Sequence, residues 1–114
     1  MRRPVWLISL LTLCAVLAGT LAYAADTPPE FTLTLAQQRF SPEEIRVQAG
    51  APFILVITNK DTEDEEFEIS QLRLEKIVPA GKTLRVNMPA LKPGTYDFIG
   101  DYHEKTAKGR ILAE

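Results

Sequence analysis

From Phe31 onward the apolar residues alternate with polar ones. Phe31, Leu33 and Leu35 fall on one side of an extended chain and Thr32 and Thr34 on the other, the two-residue period of a strand with one buried face. Ile45 and Val47 repeat the pattern, and Gly50 to Pro52 follow as a turn. The run Phe53 to Ile57 is apolar throughout and partly β-branched, which predicts a central strand covered on both faces; Asn59 and Asp61 end it. Further strands are predicted at Phe67 to Ile69, Ile77 to Val78, Leu84 to Met88, Tyr96 to Ile99 and Arg110 to Ala113, divided by Pro79-Ala80-Gly81 and Lys92-Pro93-Gly94. One helical turn is expected at Ser41-Pro42-Glu43-Glu44, which offers an N-cap serine and a proline at the first helical position. Short, evenly spaced strands of this kind predict an all-β sandwich.

The first residues follow another pattern. Arg2 and Arg3 precede the apolar run Val5 to Ala18, and Ala22-Tyr23-Ala24 places small residues at −3 and −1 of a cleavage site, the layout of a secretory signal. The run is shorter than the roughly 20 residues a membrane-spanning helix needs, and no basic cluster stops transfer after it. The expected organisation is a signal peptide at 1–24, a short leader at 25–30 and one domain at 31–114, located in the periplasm with no membrane anchor after cleavage. Leu11-Thr12-Leu13 lacks the small residues of a lipobox, so Cys14 leaves with the signal. The 90 residues that remain contain no cysteine, and so neither a disulfide nor a thiolate metal ligand. Without Arg2 and Arg3, eleven basic residues face fifteen acidic ones, for a net charge of −4. That balance argues against nucleic acid or an anionic membrane as partner and favours a cation.

Near the C-terminus the chain reads Pro93-Gly94-Thr95-Tyr96-Asp97-Phe98-Ile99-Gly100-Asp101-Tyr102-His103, with Gly109 opening a final strand. This resembles the metal loop of the cupredoxins, in which Pro-Gly-x-Tyr-x-Phe leads to a cysteine ligand, a histidine and an axial methionine. Against that pattern Gly100 stands at the cysteine position, His103 keeps the histidine and the methionine falls near Ala107. The family's other histidine follows an Asn-x-Asp turn, here Asn59-Lys60-Asp61, and its position falls on Glu65. Alternation is in accord: Glu65 is in phase with Phe67 and Ile69 and points inward, whereas Glu66 and Glu68 point outward. With Leu74-Glu75-Lys76-Ile77-Val78-Pro79-Ala80-Gly81, these motifs look like the EfeO-type cupredoxin-like domains of bacterial ferrous-iron uptake systems. The resemblance implies a cupredoxin-like Greek-key β-sandwich that binds a copper or iron ion. It also implies partners, a membrane iron permease and other periplasmic components of the same system, and a share in ferrous-iron oxidation before uptake.

The absence of a thiolate excludes a blue-copper centre, which needs cysteine beside two imidazoles. One imidazole with several carboxylates suits Fe²⁺, Fe³⁺, Mn²⁺ or Cu²⁺, and anionic oxygen favours the more highly charged ion. The candidate ligands are Glu65 and His103, by position, with Glu75 and Asp101 from the same family pattern and Glu66 as substitute for Glu65. Each has a plainer reading. His103 also fits a loop histidine bonded to solvent or backbone, Glu75 with Lys76 a surface ion pair, and Asp101 a turn cap. Six acids within residues 61–68 also fit a solvated loop or an acidic edge that attracts cations loosely. Met88, in phase with Leu84 and Val86, reads as core. Single glycines at turns make no phosphate cradle and no serine lies in a nucleophile elbow, so the chain reads as an accessory component and not as an enzyme acting alone. Two rivals stand beside the iron reading: a metal-free sandwich that docks a partner protein, and a protein that buffers or delivers Cu²⁺.

Overall fold

The computed structural model describes Arg2 and residues 27–114, so the signal peptide expected at 1–24 lies, Arg2 apart, outside the described residues. Among the described residues nine strands run in chain order: β1 (Glu30–Ala36), β2 (Arg39–Ser41), β3 (Glu44–Val47), β4 (Phe53–Asn59), β5 (Glu65–Ile69), β6 (Leu74–Val78), β7 (Thr83–Met88), β8 (Gly94–Gly100) and β9 (Lys108–Ala113). They form two sheets, ordered β2-β1-β4-β7 and β3-β9-β8-β5-β6. The fold is an all-β, cupredoxin-like sandwich. Its only helical pieces among the described residues are two 3-10 turns, Ser70–Leu72 and Asp101–His103.

The alternation read from the sequence packs the two inner faces together. Leu33, Leu55 and Ile57 from one sheet and Phe67, Phe98 and Ile111 from the other are fully buried. Phe40 joins the sheets, its ring set edge-on to Phe67 and Phe98 at centroid distances of 5.9 and 5.3 Å. Met88 is buried in this core, as its phase predicts. β4 is central, paired parallel to β1 and antiparallel to β7. Only one of its faces is fully buried, however: Ile54 and Val56 are half-buried because no layer among the described residues covers the outside of the sheet.

Two local expectations are corrected. Ser41-Pro42-Glu43-Glu44 forms no helix, because the Glu43 carbonyl accepts the Arg110 N–H at 2.7 Å and leads β3 into parallel pairing with β9. β2, absent from the sequence reading, arises from a two-residue hairpin in which Gln37 and Gln38 take φ of 52° and 59°. Left-handed backbone is unusual for glutamine, and the Asp61 carboxylate holds it by accepting both amides at 2.7 and 2.9 Å.

Candidate metal centre

The start of β5, the end of β8 and the turn Asp101–His103 meet at one end of the sandwich, since Phe67 pairs with Gly100. Strand alternation then divides the acids of β5 between two faces. Glu65 points inward and is completely buried; it and Asn59 are the two buried polar residues among those described. An ionised side chain in that position needs a counter-charge and full hydrogen bonding. It has both. Its Oε1 accepts the Tyr102 and Glu66 amides at 2.9 and 3.1 Å, and its Oε2 accepts His103 Nδ1–H at 2.6 Å. On the far side of the ring His103 Nε2–H donates to Glu63 Oε2 at 3.1 Å.

A carboxylate on each nitrogen favours the protonated form of the ring. The hydrogen bond to Glu65 raises the His103 pKa most, opposed by the ring's partial burial and assisted by the Glu65 charge and by Glu63. The imidazole thus lies between two carboxylates. Because its nitrogens face opposite ways, Glu63, His103 and Glu65 do not converge on a common point from which an ion could be chelated.

Glu66, Glu68 and Asp101 do converge. Each offers a carboxylate oxygen, and the three oxygens lie within 4.8 Å of one another on the outer face of β5. Glu75 pairs with Glu68 in the β5–β6 ladder and shares that face, as does Ile77 opposite Glu66. The Glu66 pKa is raised, first by partial desolvation and then by the charges of Glu75, Asp101 and Glu68, while a hydrogen bond from Tyr102 lowers it. Ile77 and Tyr102 are exposed beside these carboxylates.

The sequence-predicted ligands are therefore separated into two groups. Glu65 and His103 pair inside the sandwich end, while Asp101, Glu75 and Glu66 lie on its outer face. Glu68 and Glu63 were not singled out. The two-residue spacing of Glu66 and Glu68 carried the signal for the first, whereas Glu63 reaches His103 through a loop whose path no local pattern dictates. Behind that loop Asn59 bonds the Glu63 and Val78 carbonyls at 2.8 and 3.0 Å and accepts the Asp61 amide at 2.9 Å.

A model of the cupredoxin-like domain family matches residues 6–113. An uncharacterized protein of Rickettsia prowazekii (strain Madrid E) is 36% identical over 87 residues, spanning 76% of this chain and 70% of that protein. Among solved structures, auracyanin A, a blue copper protein of Chloroflexus aurantiacus, superposes with a TM-score of 0.66 at 13% identity, covering 77% of this chain and 100% of that one. The metal-binding domain of the Cu(I)-exporting P-type ATPase of Streptococcus pneumoniae, solved with Cu(I), gives a TM-score of 0.63 at 14% identity over 75% of this chain and 84% of that one. At these identities the two structures bear on the fold.

Proposed function

Since the chain belongs to the cupredoxin-like domain family, we propose that it is an exported accessory protein that collects a divalent cation and presents it to a membrane iron permease. The observation that carries this reading is the convergence of Glu66, Glu68 and Asp101 within 4.8 Å, with Glu75 on the same face. The cargo is Fe²⁺ in the first instance. Oxygen-only ligands on an open face suit exchangeable binding of a borderline-to-hard ion and favour its oxidised form, which assists oxidation before uptake. Glu65 and His103 serve as positioning residues: through the Tyr102 amide and the imidazole they fix the turn that carries Asp101. On this reading the protein works in the periplasm in a role like that of the EfeO-type branch, with an electron acceptor supplied by another component.

The resident copper that the fold family implies does not fit its usual seat. Such a centre needs a thiolate and two imidazoles, whereas Gly100 and Glu65 stand at two of those positions and a Cβ at residue 100 would come within 2.5 Å of Glu65 Cδ. Exposed Ile77 and Tyr102 beside the carboxylates favour a second reading, a metal-free module whose acidic face docks a partner.

Anaerobic titration with Fe²⁺, Mn²⁺ and Cu²⁺ decides between them. Saturable binding that is lost in the triple variant Glu66→Gln, Glu68→Gln, Asp101→Asn supports the cation reading. Equal and weak binding by parent and triple variant overturns it and leaves the docking module. Binding of Cu²⁺ alone, without any effect on ferrous-iron oxidation in the presence of the permease, assigns the protein to copper handling.

A further inference from the structure

The space at the end of β8 is filled by the protein itself. Glycine at position 100 is buried between β5 and the returning chain, its amide donating to the Ala107 carbonyl at 2.8 Å. A Cβ there would stand 2.5 Å from Glu65 Cδ, 2.7 Å from Glu65 Oε2 and 2.8 Å from the Ala107 Cβ. The same Oε2 accepts the His103 Nδ1–H at 2.6 Å. One oxygen therefore blocks both approaches to the seat: it takes the volume of a side chain at position 100 and it bonds the imidazole nitrogen that faces that volume. Because the carboxylate and the Ala107 methyl are both packed, neither has room to give way.

We infer that Glu65 closes the metal seat of the cupredoxin scaffold in this chain, that Gly100 is its steric complement, and that His103, with Nδ1 bonded to Glu65 at 2.6 Å and Nε2 to Glu63 at 3.1 Å, ligates no metal. The closure does mechanical work of its own. It ties the start of β5 to the turn Asp101–His103 through the Tyr102 amide and the imidazole, and so orders that turn without an ion. Any cation the protein takes must then bind elsewhere than on its one histidine.

Two measurements test this. Because His103 is the only histidine, its imidazole C–H resonances are unambiguous in an NMR titration of the purified chain with Zn²⁺. The expected result is no saturable shift of those resonances, whether or not signals from the Glu66, Glu68 and Asp101 face move. A saturable imidazole shift overturns the inference. The outcomes also stay separate from those of the cation reading, which Fe²⁺ and Mn²⁺ binding at the Glu66, Glu68 and Asp101 face decides, since failure of that binding leaves the closed seat standing.

The second measurement is a double-mutant cycle on the thermal unfolding midpoint. Gly100→Ala is expected to lower the midpoint sharply in the parent and by clearly less in the Glu65→Ala background, where only the Ala107 contact remains. Additive losses overturn the pairing of Gly100 with Glu65. If Gly100→Ala does not fold in the parent background, recovery of folding by Glu65→Ala gives the supporting answer and its failure the opposing one.

Discussion

His103 gives the protein a pH-dependent stability whose sign follows from its surroundings. Its folded-state pKa is raised above the ordinary 6.5, chiefly by the hydrogen bond to Glu65. The stabilisation from the pair is complete below about pH 6.5, where the unfolded histidine is also protonated, and is lost as pH rises through the raised folded value. Metal-free protein is thus expected to lose stability from this pair as pH rises above about 6.5. Urea unfolding at a series of pH values measures it, and Glu65→Gln should flatten the slope by removing the counter-charge. His103→Ala leaves the buried carboxylate unpaired and should cost about 3 kcal/mol. Glu66 has the opposite character. Its pKa is raised because its environment disfavours the charge, so the ionised group opposes folding at neutral pH and stops doing so as pH falls through that raised value. Glu66→Gln should therefore raise the unfolding midpoint at pH 7, with the gain disappearing in acid, while cation binding weakens.

At the scale of elements, the buried side chain of Asn59 braces the loop between β4 and β5 from within. Asn59 is fully buried and bonds two carbonyls and one amide, and so aligns Glu63 with His103 and Asp61 with the β1–β2 hairpin. Asn59→Ala strands buried carbonyls and should cost about 2–3 kcal/mol in denaturant unfolding, with a change in the His103 environment visible by NMR. The elements themselves were largely legible, because alternation reports which face is buried and the strands here keep one face inward. The phase of Glu65 with Phe67 and Ile69 told its direction correctly for the same reason. β2 was not legible: it is three residues long, carries one core residue, Phe40, and follows a turn made by glutamines that have no intrinsic preference for it. The Ser41–Glu44 turn looked helical because capping residues are read locally, while the Glu43 carbonyl answers to β9, far along the chain. Glu68 and Asp101 came together through the β5–β8 pairing, which no local spacing encodes.

For the molecule as a whole, stability rests on the contact of two sheets across one aromatic cluster. Phe40, Phe67 and Phe98 pack with centroid separations of 5.3 to 5.9 Å, and Gly109 lies opposite Phe98 in the β8–β9 ladder. A Cβ at Gly109 would strike the Phe98 ring and come within 2.5 Å of the Glu43 carbonyl oxygen, a backbone atom held by its own hydrogen bond. Phe98→Ala should cost about 3–5 kcal/mol, and Gly109→Ala should lower the unfolding midpoint without touching either group of acids, leaving cation affinity intact in the folded fraction. The matched fit of Glu65 with Gly100 has a consequence of a different order, for the routes by which such a chain changes over generations. A larger residue at 100 is penalised while the carboxylate is present, and shortening residue 65 first removes the ion pair before anything replaces it. Exchanging the ion-paired arrangement for a thiolate-bearing one by single substitutions passes through a weakened intermediate in either order, so the two positions are physically coupled and are exchanged without loss only together.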